Sequence, residues 1–207
     1  MAYQKPEDQL VCDGERHFQG VQQEAELVWT RINLILKRAH EKIVRQELYA
    51  AAHLLEYAAA LWSELTEKNE ELMWRLWPND FLKVRKVIGQ GGSTADSPRF
   101  IESKRLGKKL WCPYRKTLNE RSIKLLDVLS SDEDSDLRAL TKSMMWYDYR
   151  VQEFNISHIY LVLGEIGDRT VGLKGGTVDY LLKRYEHYLF PELWDSVNSL
   201  YTNFKPD

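Results

Sequence analysis

The chain has 207 residues, with 29 Lys and Arg against 31 Asp and Glu and a formal net charge of -2. That length suits one domain with a sizeable core rather than two. The near balance of mixed charges leaves no footprint for a nucleic acid partner, and no apolar run approaches the ~18 residues of a membrane span.

The first residues, Met-Ala-Tyr-Gln-Lys-Pro-Glu-Asp, lack the apolar core of a signal peptide. Cys12 and Cys112 are the two cysteines, far apart and without zinc spacing, so a reduced cytoplasmic setting is expected. The 7 Trp and 11 Tyr suit a cofactor pocket, and equally a large helical core.

Residues 1–16 are polar and read as an N-terminal arm. From Val21 to about His40, Val21, Ala25, Val28, Trp29, Ile32 and Leu36 recur at helical spacing. A second helix is predicted from about Ile43 to Lys68. Its Ala51, Ala52, Ala58 and Ala59 favour helix and let a neighbouring helix or a flat cofactor approach closely. Glu70 to Trp77 ends at Pro78, which can open the next helix, Phe81 to Ile88. Gly89-Gln-Gly-Gly-Ser-Thr94 is a loop. Short helices are predicted over Arg99–Leu106 and Asn119–Leu129, then an acidic, serine-rich loop over Ser130–Asp136 with the composition of local disorder. Leu137 to Glu165 is helical again. A last pair follows, one helix starting near Thr177 as its N-cap and another from Pro191. The prediction is an all-α, single-domain helical bundle without strands or internal repeats.

Three features can carry chemistry. His158 lies among Phe154, Leu161 and Val162 at helical spacing, on an apolar face. It is either a core histidine satisfied by a backbone carbonyl or an axial iron ligand, which needs a neutral imidazole in a dry pocket. The glycine-rich run Gly172-Leu-Lys-Gly-Gly-Thr177 is either a helix connection or an anion site. In the second case its backbone N–H groups and the next helix start, with Lys174 and Arg169, would hold a propionate or carboxylate. Arg85 is either a solvated arginine beside Lys83 and Lys86 or a two-pronged carboxylate clamp. No HExxH, GxSxG or ExxH motif is present, which removes support for hydrolase and di-iron readings.

Three blocks occur in the order and internal spacing of one family. His17-Phe-Gln-Gly-Val-Gln-Gln-Glu-Ala-Glu-Leu27 looks like its first core helix, LFIxxHQxxELW. Leu76-Trp-Pro-Asn-Asp-Phe-Leu-Lys-Val-Arg85, continuing to Arg99-Phe-Ile-Glu102, looks like LTPxxYxxFRxxLG…RxIE. His158 through Leu181, with Phe190-Pro-Glu-Leu-Trp194, looks like HxxxVxRxIGxKxGTGGSSGxxYL followed by FPxLW. On these residues the chain resembles the tryptophan 2,3-dioxygenase superfamily of histidine-ligated heme enzymes, as a short, divergent member.

The resemblance implies a helical domain over residues 17–207 with heme b held between helices. It implies an oxygenase that inserts oxygen from O2 into an aromatic amino acid or a derivative of tryptophan or indole type. His158 falls on the proximal iron ligand, Arg85 on the arginine that pairs with the substrate carboxylate, and Phe18 and Phe81 on aromatic positions of the substrate pocket. Lys174 and Thr177 belong to the glycine-rich loop on the cofactor side. Two positions depart from the pattern. The distal histidine falls on Gln22, which can donate a hydrogen bond but not act as a base near neutral pH. The loop threonine that contacts the substrate's amino-acid group falls on Gly172. The resemblance further implies a homo-oligomer, dimer or tetramer, whose N-terminal arm can reach a neighbouring site. A tyrosine-type aromatic hydroxylase using peroxide or O2, and a non-catalytic heme-binding or interaction protein, are the alternatives.

Overall fold

The computed structural model describes residues 4–88, 97–133, 135–172, 175–185 and 187–202. All regular structure among them is helical. In order come α1 (Asp13–Val44), α2 (Leu48–Arg75), α3 (Pro78–Ile88), α4 (Pro98–Lys109), α5 (Trp111–Glu120), α6 (Leu125–Ser130), α7 (Asp136–Ile166), α8 (Val178–Tyr185) and α9 (Pro191–Thr202). No helix among the described residues is long and apolar enough to cross a membrane.

Helix α1 begins earlier than the apolar periodicity predicts. Asp13 and Glu15 occupy its first turn, where carboxylates complement the helix dipole. The fully buried Glu15 pairs with Lys5 at 2.9 Å and accepts the Val11 N–H at 2.6 Å. Gln19 and the Lys5 backbone exchange two hydrogen bonds, 2.6 and 3.0 Å, so the described part of the arm folds back on α1. The break to α2 falls at Arg45–Glu47, where Gln46 adopts a left-handed conformation (φ 61°). That costs a non-glycine residue ~1–2 kcal/mol. Its side chain is held in return, donating to Thr117 Oγ1 at 2.8 Å and accepting from Arg121 at 3.3 Å.

Three long helices build the core. Arg31 bonds Tyr57 at 2.7 Å and Lys68 pairs with Glu24 at 2.9 Å, so α1 and α2 are antiparallel. Ser143 meets Glu56 at 3.0 Å, Tyr147 meets Trp62 at 3.2 Å, and Ser157 meets Asn69 at 2.9 Å, so α2 and α7 are parallel. A parallel pair needs a long return connection, which α3 to α6 supply. The alanines Ala51, Ala58 and Ala59 are fully buried along α2, where close helix approach was expected. Around them, Trp29, Trp62, Phe100 and Phe154 pack ring against ring with centroids 5.1–6.3 Å apart.

A second, smaller apolar cluster lies where the start of α1, the end of α2, α3 and the end of α7 meet: Phe18, Leu72, Phe81, Val84, Ile88 and Leu161 among its members. Helix α4 is fastened to α1 by Arg99–Glu26 at 2.7 Å and Lys37–Glu102 at 3.0 Å. Two expectations are revised. The predicted helix over 119–129 is split, because Ser122 takes φ 55° between α5 and α6. The acidic loop is ordered at its end: Ser135 caps α7 by accepting the Arg138 N–H, and Asp136 forms a two-pronged pair with Arg121 at 2.7 and 2.8 Å.

Candidate functional site

Helix α7 carries one continuous inward face. Val151 and Phe154 sit in the main core and Leu161 in the second cluster. His158 lies between them on the same side, since residues three and four apart share a helix face. Its ring lies against Phe154 with centroids 6.4 Å apart and planes 28° apart. The residue keeps part of its surface, but Nδ1 is shut off from water. Burial, aided by the nearby Lys104 charge, pushes the imidazole pKa down to about 4. His158 is therefore neutral near pH 7. Lys104 itself hydrogen-bonds Asn155 at 3.2 Å and lies 4.8 Å over the Phe100 ring.

Across the second cluster, Phe18 from α1 and Phe81 from α3 bring their rings within 6.0 Å at 54°. Both are buried, 5% and 6% exposed, so each fills the space beside the other. Arg85, one turn beyond Phe81, is half-buried. Its Nη2 donates to the Val171 carbonyl, tying α3 to the segment after α7. Its Nη1 is buried without a hydrogen-bond partner among the described residues. Gln22, one turn along α1 from Phe18, is half-buried.

Gly167 ends α7 with φ 71°, the left-handed closure glycine supplies most cheaply, and its N–H reaches Leu163 O at 2.9 Å. Gly172 donates to Gly176 O at 2.8 Å and accepts from Gly175 N at 3.0 Å. A Cβ added at Gly172 would lie 3.2 Å from the Gly176 carbonyl oxygen, so a side chain there needs that turn to give. Thr177 precedes α8, and its carbonyl accepts the Leu181 N–H at 3.1 Å, the N-cap position. Lys174 lies outside the described residues, as does the loop over 89–96.

Glu165 was not singled out by the sequence. It sits seven residues beyond His158 on the same face of α7 and is 8% exposed. Burial pushes its carboxyl pKa up to about 8, and its Oε1 has no hydrogen-bond partner among the described residues. The legible signal was an acidic residue inside the apolar run Leu161, Val162, Leu163, Ile166.

A cleft of about 210 Å³ opens elsewhere, on the α1–α2 face, lined by charged residues that include Arg16, Glu24, Lys68 and Glu71. There His17 Nε2 stands 3.8 Å from Glu71. None of His158, Arg85, Phe18, Phe81, Gln22 and Glu165 lines it, and its charged walls suit water better than an aromatic ring. Among the described residues no group of three or more His, Cys, Asp or Glu side chains could hold a metal ion. No protein-family model matches the chain, and no curated protein matches it.

Proposed function

We propose that this chain is a heme-dependent oxygenase of aromatic amino-acid-type substrates, with His158 as the iron ligand and Arg85 as the carboxylate clamp. The observation that supports it best is the pairing of two features around one apolar cluster. One is a neutral, water-shielded imidazole at one edge. The other is a buried guanidinium nitrogen with no hydrogen-bond partner among the described residues, one helical turn beyond Phe81. A buried donor left unsatisfied costs ~1–3 kcal/mol, which a bound carboxylate recovers.

Heme, when bound, supplies the activation of dioxygen. The chain's own residues do the rest. Arg85 would bind and orient the carboxylate end, a positioning role. Phe18 and Phe81 would flank the ring and exclude water. They touch each other in this structure, so an entering ring has to part them. At 11 residues, α3 is the shortest helix enclosing the cluster, and it carries both Phe81 and Arg85. Gln22 would offer a hydrogen bond and take no proton.

The test is the absorption spectrum of heme-loaded wild type and of His158→Ala. A Soret band in the wild type that is lost or shifted in the variant is the expected result. Identical heme binding in both would remove His158 as ligand, and no band in the wild type would remove heme from the account. Aromatic amino acids are then screened by the spectral shift they cause, with dioxygen plus reductant compared against peroxide.

A further inference from the structure

Helix α7 buries one face and leaves a second apolar face bare. On the bare side Trp146, Tyr149, Ile156, Tyr160 and Leu163 are 38–59% exposed. With Glu153 they follow one another at steps of three, four, three, four and three residues, the a and d positions of a heptad repeat. The core face of α7, from Tyr147 and Val151 through Phe154 to Leu161, is a separate row. A helix needs one apolar stripe to join its own core; this helix has two. Helix α2 borders the bare stripe on one side, where Glu56 meets Ser143 and Asn69 meets Ser157. Helix α8 borders it on the other, where Val178 and Leu181 cluster with Ile159 and Val162. Among the described residues none covers it.

The patch extends onto the end of α2. Met73 lies beside Gly164 of α7, and Trp74, 81% exposed, stands five turns beyond Glu56 on the edge of α2 that meets α7. Large side chains of these kinds cover ~150–250 Å² each, so the exposed fractions leave roughly 750 Å² of mainly apolar surface. The largest patch of an ordinary monomer is ~300–600 Å², and each partner in a stable dimer buries about 800 Å². The area therefore fits one half of a dimer interface and exceeds what a lone chain commonly leaves open.

Part of the stripe is already set. Trp146 and Tyr149 stack at 5.3 Å and 19°, with the Arg150 guanidinium 4.4 Å over the Trp146 ring, so little side-chain freedom remains to be lost on association. Glu153, held by Arg150 on its own helix, decides the direction of pairing. In a parallel pair the two Glu153 carboxylates would face each other in one layer. Positions 146 and 163, 149 and 160, and 153 and 156 share one midpoint. An antiparallel pair about that midpoint sets Glu153 against Ile156 of the second copy, Tyr149 against Tyr160 and Trp146 against Leu163.

We infer that this stripe is a self-association surface. A second copy of the chain lays its own Trp146–Leu163 stripe against it, antiparallel, about a twofold axis level with Phe154 and Asn155. The contact depends neither on heme nor on the N-terminal arm, whose described part folds back on α1.

The experiment is sedimentation velocity of the full chain over about 1–100 μM, the range in which an interface of this size is populated at its weakest. Wild type should sediment as a dimer at the upper end. Ile156→Glu/Tyr160→Glu places charges in the seam and should weaken the dimer at least ~100-fold, with helicity by circular dichroism unchanged. Leu27→Glu, at an exposed leucine on α1, should change nothing. Glu153→Leu should tighten the dimer. Direction is read by oxidative cross-linking in a Cys12→Ser/Cys112→Ser background. A mixture of Tyr149→Cys and Tyr160→Cys chains should form a disulfide-linked pair. Neither variant alone should, because its two cysteines would stand roughly 16 Å apart along the axis. A monomer at every concentration overturns the inference. So does a dimer that survives Ile156→Glu/Tyr160→Glu, or one that Leu27→Glu weakens equally. Cross-linking of either cysteine variant with itself, and none in the mixture beyond that, overturns the antiparallel course.

Discussion

His158 and Glu165 stand seven residues apart on one face of α7, about 10 Å along the helix axis, and burial drives both to their neutral forms. The imidazole falls to about 4 and the carboxyl rises to about 8. The two act oppositely on stability. Between pH 4.5 and 8 the folded chain keeps a Glu165 proton that the unfolded chain has lost, so raising pH destabilises the fold. Between pH 4 and 6.5 the unfolded chain holds a His158 proton that the folded chain lacks, so lowering pH destabilises it. Their slopes cancel between pH 4.5 and 6.5, and Glu165 alone acts from there to pH 8. Glu165→Gln should therefore gain stability over wild type as pH rises, by roughly 3–5 kcal/mol at pH 8 on ~1.4 kcal/mol per unit of displacement. Denaturant midpoints at pH 5, 6.5 and 8 measure it; a constant offset across the three would refute the buried-acid account.

His158→Gln should flatten the opposite limb. The wild-type imidazole contribution amounts to roughly 3 kcal/mol lost by pH 4 relative to pH 7. The clean comparison is Glu165→Gln against the double variant Glu165→Gln/His158→Gln, since the acid slope is then exposed without its counterweight. An undiminished slope in the double variant would show that another group carries the titration.

Arg85→Met tests the guanidinium without emptying its space. Arg85 gives one hydrogen bond to Val171 and hides one nitrogen with no partner among the described residues, so its removal should cost little stability, within about 1 kcal/mol. Carboxylate-bearing ligands should lose roughly 10–150-fold in affinity, the value of a charge-assisted hydrogen bond. A large loss of stability with unchanged ligand affinity would make Arg85 a strut between α3 and the segment after α7.

The helices were legible where periodicity was strong. The apolar rows of α1, α2 and α7 predict their buried faces, and Pro78 marks the start of α3. The breaks were read less well: the first was expected between His40 and Ile43 and falls at Arg45–Glu47, and the one within 119–129 was not expected, because Gln46 and Ser122 turn the chain at positive φ without a glycine. Gln46 is held there by Thr117 and Arg121, contacts more than 70 residues distant in sequence. Among the candidate residues, His158 and Arg85 were singled out by the resemblance, their apolar neighbours alone leaving a core histidine and a solvated arginine open. Glu165 was passed over: its one signal, an acid inside an apolar run, also fits a solvated residue until the fold places it inside. The parallel course of α2 and α7 was equally hidden, being set by pairs such as Asn69–Ser157.

The last prediction concerns what fixes the C-terminal segment on α7. Asp148 is fully buried and accepts four groups through its two oxygens: Leu189 N–H at 3.1 Å to each oxygen, Phe190 N–H at 3.2 Å, Trp194 Nε1–H at 2.9 Å and, more weakly, Gln152 at 3.4 Å. It thus satisfies the approach to α9 and anchors the Phe190–Trp194 run, whose Phe190 and Leu193 are themselves fully buried. Asp148→Ala would strand at least three donors away from water, at about 3–5 kcal/mol. Asp148→Asn keeps one acceptor and points an amide N–H₂ at a backbone N–H, so it should cost less than Ala without matching wild type. Because the run is anchored near the middle of α7, at Asp148, well before Glu165, the first consequence should be local release of residues 187–202. Limited proteolysis should then cut that segment in the variant before the main core opens. Protection equal to wild type, with an unchanged denaturant midpoint, would mean the core contacts of Phe190 and Leu193 hold the segment without the carboxylate.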